Sequence, residues 1–254
     1  MAELITKRVL CTVMYHGAHY NGWQVQTNAP SIQGVIQKAL SNMHRETIQI
    51  HGSGRTDSGV HAFGQTFHFD SHFKLSEEQW IRALNSSLPM DIRIVDVQFV
   101  DKDFHARYSV DRKRYDYLIL QEEPNPFSYQ THLSVTEALD FKLMRQATFL
   151  FIGTHDFTSF CANTKDEKPN QVRTLFTFDI EVEEDQVRFI VEGDGFLRYM
   201  VRILVAIVLD VGKGKLSLDE VSQILAAKDK LAYGGIADAC GLYLMEVTYK
   251  EFHD

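Results

Sequence analysis

The sequence lacks the features of a secreted or membrane-spanning protein. It has only three cysteines in 254 residues, Cys11, Cys161 and Cys240, which are far apart and odd in number. This excludes a disulfide scaffold and predicts reduced thiols in a cytoplasmic protein. No uninterrupted apolar run reaches the ~18 residues of a membrane-spanning helix. The first eight residues lack the apolar core of a signal peptide, so we expect none.

An excess of positive charge is also missing, since 26 lysines and arginines face 34 acidic residues, a formal net charge of −8. A local basic surface can still attract nucleic acid. One basic tract carries tyrosines between its charges and comprises His105, Arg107, Arg112, Lys113 and Arg114, with Tyr108, Tyr115 and Tyr117. Such a mixture suits phosphates and unstacked bases. A solvated strand with tyrosines in the core fits equally well.

The most unusual stretch runs from His51 to Ala62 and reads HGSGRTDSGVHA. Its three glycines permit positive φ angles or the close approach of another segment. It carries one carboxylate, Asp57, two residues after Arg55, and such residues point to the same side of an extended segment. Arg55 could pair with Asp57 and keep it ionised, or bind a phosphate beside it. The alternative is an ordinary glycine-rich hairpin turn.

Hydrophobic periodicity predicts an α+β fold, with the sheet-and-helix pattern occurring twice along the chain. Strands are predicted at 9–15, 47–51, 60–69, 92–99, 107–120, 173–182, 186–193 and 241–249, and helices at 32–43, 76–88, 140–151, 196–211 and 218–226. Serines 31, 76 and 217 are expected to cap three of the helices. We expect two halves, 1–105 with the Asp57 loop and 106–254.

The predicted helix at 196–211 is strongly apolar but contains Arg198 and Arg202, four residues apart and therefore on one face. A buried guanidinium without a partner costs several kcal/mol, so Arg202 must pair or extend to the surface. It could also reach the carboxylate of the central loop. The sequence alone leaves both interpretations open.

Seven stretches, in order along the chain, together resemble the bacterial tRNA pseudouridine synthase family. They are residues 20–24 (YNGWQ), 54–62 (GRTDSGVHA), 104–107 (FHAR), 113–115 (KRY), 155–157 (HDF), 195–202 (GFLRYMVR) and 241–244 (GLYL). The matches span nearly the whole chain. This resemblance implies two α+β halves that form one continuous mixed sheet, with an active-site cleft between them.

The resemblance also implies an activity and a set of site residues. Family members act as homodimers without cofactor or metal, and isomerise uridines at about positions 38 to 40 in the anticodon arm of tRNA. Asp57 matches the catalytic aspartate and Arg55 its basic partner, while Tyr115 matches a tyrosine that packs against the target base. Arg202 matches an arginine that lines the pocket, and Leu242 and Leu244 lie in the segment that closes it.

Four positions depart from the usual family pattern. They are His16, where the family usually has Asp, Ile203 (Asn), Ala206 (Gly) and Asp238 (Pro). These departures motivate a second hypothesis, an RNA-binding or RNA-chaperone paralogue with weak or no catalysis. A hydrolase of glycosidic bonds is a third, but the sequence offers no obvious second carboxylate to act as its acid. An active tRNA-uridine isomerase is the interpretation favoured by Asp57, Arg55 and Tyr115.

Overall fold

A computed structural model describes residues 6–250 of the chain. Residues 1–5, most of the segment in which we expected no signal peptide, lie outside the described part. The chain divides into two compact units. The first comprises the described residues up to Asp111 together with those from Leu244 onward, and the second is Arg112–Tyr243. The expected halves, 1–105 and 106–254, differ mainly in the C-terminal strand, which returns to the first unit.

The first unit is a sheet with two helices. Its strands are β1 (Lys7–Tyr15), β2 (His51–Gly52), β3 (His61–Ser71), β4 (Ile92–Val100) and the part of β10 (Leu242–Tyr249) from Leu244 onward, and its helices are α1 (Ile32–His44) and α2 (Glu77–Ser87). The strand order is β4-β1-β3-β10, with β2 on β3. Cys11 of β1 lies opposite Phe67 on one side and Val97 on the other, and all three are buried. Alternation of apolar residues therefore gives this sheet its core face.

The second unit has a mixed sheet with three helices. Its strands are β5 (Val110–Leu120), β6 (Leu133–Ser134), β7 (Gly153–Asp156), β8 (Val172–Glu183) and β9 (Gln186–Gly193), and its helices are α3 (Phe141–Phe149), α4 (Met200–Gly212) and α5 (Leu218–Ala227). The order is β5-β9-β8-β7, with β6 parallel to β5. Tyr117 lies opposite Phe189, which in turn lies opposite Ile180, and all three are buried. The expected α+β class is confirmed.

The helix starts follow the predicted caps. Ser31 Oγ accepts a hydrogen bond from Gly34 N at 3.2 Å. Ser76 and Ser217 each form a capping box with the residue three positions later, Gln79 and Glu220. These signals are local, so the sequence was sufficient to locate them. No helix within residues 6–250 is both long and apolar enough to cross a membrane.

Three predicted elements begin in the wrong place, and one of them is the strand predicted at 107–120, which begins at Val110. Residues 47–50 are not a strand, because their polar groups bond to α1 instead: Ser41 Oγ accepts from Ile48 N at 3.0 Å and Gln33 Nε2 donates to Ile50 O at 3.1 Å. The helix predicted from 196 begins only at Met200. Tyr199 has a left-handed backbone, so Arg198 precedes the helix and does not share a helix face with Arg202.

Candidate active site

The loop between β2 and β3 carries Asp57, and its main chain is fixed by the segment that follows β1. Trp23 N donates to Thr56 O at 3.1 Å and Gly59 N donates to Tyr20 O at 3.3 Å. Within the loop, Val60 N donates to Asp57 O at 3.2 Å. Backbone groups on both sides of Asp57 are therefore bonded, which gives its Cα a defined position.

Glycine is required where the two segments meet. Gly22 has a φ of +80°, and a Cβ built on it would lie 2.4 Å from Thr56 O and 2.9 Å from Asp57 C. At Gly17 a Cβ would lie 1.9 Å from Val60 O. A side chain at either position must push the Asp57 loop away.

Buried polar side chains of β1 and β3 support the loop. Tyr15 Oη and Thr56 Oγ1 are 2.8 Å apart, and burial raises the pKa of the tyrosine above its usual value. The fully buried Gln65 of β3 accepts from Ser53 Oγ at 2.6 Å and donates to Gly54 O at 3.1 Å. Because these groups satisfy one another, their burial carries little penalty and specifies one loop conformation.

The charged side chains of the loop are accessible. Asp57 is half-buried and Arg55 is exposed. Arg55 Nε donates to Gln24 Oε1 at 3.2 Å, which ties the guanidinium to the YNGWQ stretch. The pairing of Arg55 with Asp57 stays a prediction.

His16, one of the departures from the family pattern, lies beside the loop. Its ring packs edge-on against His61 at a centroid distance of 4.5 Å. His61 Nδ1 accepts from Gly17 N at 3.0 Å, so this nitrogen is unprotonated. Desolvation and, less strongly, His19 lower the pKa of His16. A neutral imidazole therefore stands where the resemblance led us to expect a carboxylate.

The second unit contains Tyr115, Arg202 and Leu242. Tyr115 and Leu242 are buried, and the Tyr115 ring meets Phe196 edge-to-face at 5.1 Å. Arg202, on the first turn of α4, is half-buried, and its Nε donates to Ala237 O at 2.7 Å. This bond satisfies one donor of the part-buried guanidinium. Leu244, in the first unit, is fully buried.

The basic tract is less basic than its composition indicates. Desolvation lowers the pKa of His105, as do the charges of His51, Arg8 and Arg107. Desolvation, with Arg8 and the neighbouring histidines, lowers that of buried His68 to about 4. His105 Nδ1 accepts from Arg107 N at 3.1 Å, which agrees with a neutral ring. At neutral pH the charge of the tract therefore comes from its arginines and lysine.

The arginines of the tract have different surroundings. Arg107 is exposed, next to Tyr108, whose side chain is 78% exposed. Arg112 stacks on Phe176 at 4.7 Å and lies 3.5 Å from a Glu192 oxygen. Arg114 donates to both oxygens of the buried Asp116, at 2.9 and 3.0 Å, whereas Lys113 is half-buried.

Three supporting residues were missed from the sequence: Gly22, Gln65 and Tyr199. Gly22 lies in a stretch that was singled out, but its contact with the loop is between residues far apart in sequence. Gln65 falls within an alternating strand, where it looks like any outward polar residue. Tyr199 also lies in a stretch that was singled out, but its positive φ gave no signal, because that conformation is expected of glycine and not of tyrosine.

Comparison with known proteins places these observations in context. The sequence profile of a family described as tRNA pseudouridine synthase matches residues 12–109 and 147–250. tRNA pseudouridine synthase A of Geobacillus sp. (strain WCH70) is 43% identical over 247 residues, covering 96% of this chain and 99% of the relative. That of Oceanobacillus iheyensis is 43% identical over 96% of this chain and 98% of the relative. That of Bacillus pumilus (strain SAFR-032) is 46% identical over 95% and 99%.

Proposed function

Because the chain belongs to the tRNA pseudouridine synthase family, we propose that it isomerises uridine to pseudouridine in the anticodon arm of tRNA, at about positions 38 to 40. The observation that carries this proposal is the likeness over 96% of the chain to a relative named for the activity. The enzyme is an isomerase, and we propose that it acts without a cofactor in the cytoplasm.

Asp57 is proposed as the catalytic group. The reaction breaks the N1–C1′ bond of uridine, turns the uracil over and joins C5 to C1′; C5 loses a proton and N1 gains one, so no atoms are lost overall. A carboxylate beside the sugar can attack C1′, stabilise a cationic C1′ or take a proton from the ribose. All three roles require an ionised, accessible carboxylate at a fixed position. The half-burial of Asp57 and the bonded main chain around it support this assignment.

The other site residues are proposed to bind the target nucleotide. The uridine must leave its stack to reach a carboxylate, and an aromatic platform offsets part of that cost. Tyr115 would supply the platform, and Arg55 and Arg202 would contact phosphate or base. Leu242 and Leu244 would close the pocket with apolar surface.

The basic tract is proposed to bind the tRNA backbone, through Arg107, Arg112, Lys113 and Arg114. Phosphate contacts hold and orient an RNA without reading its sequence. Exposed Arg107 beside exposed Tyr108 offers the most accessible combination of charge and aromatic surface in the tract.

We also propose that the working unit is a homodimer. A single acidic protomer with a short basic tract offers few places to hold a molecule as long as tRNA, and a two-fold dimer would duplicate the tract. Light scattering at micromolar concentration should give about twice the 29.2 kDa chain mass. A fully active monomer at low concentration would contradict this.

The test of the main proposal is Asp57→Asn, which keeps the shape of the side chain and removes its charge. Wild-type enzyme should form pseudouridine in an unmodified tRNA transcript, detected by carbodiimide mapping. Asp57→Asn should abolish formation while tRNA binding persists. Asp185→Asn, in the exposed β8–β9 turn, is the matched control and should be as active as wild type. If Asp57→Asn kept the turnover of the wild-type enzyme, Asp57 would not be the catalytic group.

One outcome would favour the second hypothesis, a non-catalytic RNA-binding paralogue. In that case wild-type protein would bind tRNA and leave every uridine unchanged. The observation behind this hypothesis is the neutral His16 packed on His61 at the base of the loop. His16→Asp would then be the variant to test for restored activity.

A further inference from the structure

Tyr199 has a backbone conformation that tyrosine rarely adopts. Its φ is 65° and its ψ is 0°, in the left-handed region, directly before α4. For a residue with a Cβ this region costs about 1–2 kcal/mol relative to the right-handed one. The side chain makes no capping hydrogen bond to the helix that would offset the cost. The reason for a tyrosine here must lie in what its ring contacts.

The ring of Tyr199 lies against two guanidinium groups. Arg198 Cζ is 4.8 Å and Arg202 Cζ is 5.1 Å from the ring centroid. Both distances are within the ~6 Å range of cation–π attraction. Arg198 Nη2 also donates to Tyr199 Oη at 3.2 Å. Arg202 lies three residues after Tyr199, on the first turn of α4. The ring of Tyr199 therefore lies against that turn.

Arg202 is restrained by a second contact of a different kind. Its Nε donates to Ala237 O at 2.7 Å, and Ala237 N donates back to Arg202 O at 3.1 Å. A hydrogen bond at one edge and a ring near the guanidinium carbon together limit rotation of a planar group. Tyr199 and Ala237 therefore both restrain the orientation of the Arg202 guanidinium.

The turn at Tyr199 is itself held from outside the helix. Asn163 Oδ1 accepts from Arg198 N, and Ala162 N donates to Arg198 O, both at 3.0 Å. A strained conformation persists only where the surroundings over-determine it, and it tends to occur at functional sites. The 162–163 segment supplies that support here.

We propose that Tyr199 is a positioning residue, whose ring holds the Arg202 guanidinium in the orientation needed to meet the target nucleotide. This inference rests on the proposed function, in which Arg202 contacts that nucleotide, and adds a residue to it. Tyr199 itself need not touch the substrate. Its effect on the reaction should pass through Arg202.

Substitutions at Tyr199 can separate the ring from the backbone. Glycine adopts a φ of 65° without strain, so Tyr199→Gly should fold at least as readily as wild type and lack only the ring. We expect kcat to fall about tenfold, the upper part of what one cation–π contact contributes, with a smaller change in KM. Tyr199→Phe keeps the ring, and its kcat should lie within about twofold of the wild-type value. A Tyr199→Gly enzyme with wild-type kcat would overturn the inference.

A control and a coupling test complete the experiment. Phe99→Leu, on β4, removes a ring that lies 4.6 Å from another cation, the Lys7 ammonium, and should leave kcat unchanged. In an Arg202→Gln background, Tyr199→Gly should reduce kcat by less than about twofold, because neighbours that act through one group are not additive. A full tenfold loss in that background would also overturn the inference. Inactive wild-type enzyme would refute the proposed function and this inference together, whereas an active Tyr199→Gly variant refutes the inference alone.

Discussion

The two units hold their proposed site residues in different ways. In the first unit the main chain on both sides of Asp57 is bonded, and the nearby charged side chains are accessible. In the second unit the side chains themselves are fixed, Tyr115 by Phe196 and Arg202 by Tyr199 and Ala237. The loop should therefore be most sensitive to changes that move its backbone. The second unit should be most sensitive to changes of ring or guanidinium.

Among variants that leave every proposed site residue in place, the largest effect is expected from Gly22→Ala. The new Cβ would lie 2.4 Å from Thr56 O, a backbone atom that cannot move without shifting Asp57. Because a misplacement of about 1 Å can reduce catalysis about 100-fold, we expect a loss of that size in kcat/KM. Steady-state pseudouridine formation measures it.

Gly214→Ala is the matched control for that variant. Gly214 also has a positive φ, +68°, but nothing lies within 4 Å of its Cβ position. It should lose about 1 kcal/mol of stability through backbone strain and keep its activity. Equal kinetic losses in the two variants would mean that positive φ, and not the contact with the Asp57 loop, is what matters.

The second effect in size is expected from Arg114→Gln, in β5 of the second unit. It removes the cation to which both oxygens of the buried Asp116 are bonded. Breaking a buried pair costs about 3–5 kcal/mol, and we expect about 2 kcal/mol because Arg114 is partly exposed. Urea unfolding measures the change. The double variant Arg114→Met, Asp116→Leu should recover most of it.

If the double variant is as unstable as Arg114→Gln, the pair is not the cause. In that case the contribution of Arg114 to stability lies in its other contacts. Both outcomes concern the role of Arg114 in the second unit. If Arg114 stabilises the fold, its loss would weaken RNA binding only by destabilising that unit. Substitution of the whole basic tract at once would therefore confuse stability with binding.

Local signals in the sequence were sufficient for much of the fold. Ser31, Ser76 and Ser217 cap helices through bonds to residues three positions away, and such spacing is visible in one dimension. Residues 47–50 alternate like a strand, yet their backbone bonds to side chains of α1, a choice that no local pattern reveals. The same holds for the site. Asp57 and Arg55 form a local motif, whereas Gly22 matters only because of a distant backbone.

Hydrophobic periodicity did not predict the helix start after Tyr199. The apolar pattern from 196 onward continues smoothly through Tyr199, so a helix was predicted across it. The helix begins only after Tyr199, because hydrogen bonds with Ala162 and Asn163 fix Arg198, the residue before it. The expected shared helix face of Arg198 and Arg202 was wrong, and a common tyrosine ring brings the two arginines together instead.

The smallest effect is expected in the salt dependence of tRNA binding. The experiment compares one arginine from each unit. Arg107 in the first unit is exposed, whereas Arg112 in the second already stacks on Phe176 and faces Glu192. If Arg107 neutralises one phosphate, Arg107→Gln should flatten the slope of log affinity against log salt by about 0.7 to 0.9. Arg112→Gln should flatten it less, because its partner glutamate already offsets part of its charge.

Lys142→Gln, on the exposed face of α3, is the control for charge removal and should leave the slope unchanged. The slope should also agree at pH 7 and pH 8, since the lowered pKa values of His68 and His105 keep both rings neutral throughout that range. A slope that steepens toward pH 7 would mean that a histidine gains charge on binding. Equal flattening by Arg107→Gln and Arg112→Gln would mean that tRNA displaces Glu192 from Arg112. The second unit would then resemble the first, with charges that are available to the RNA and not committed to the fold.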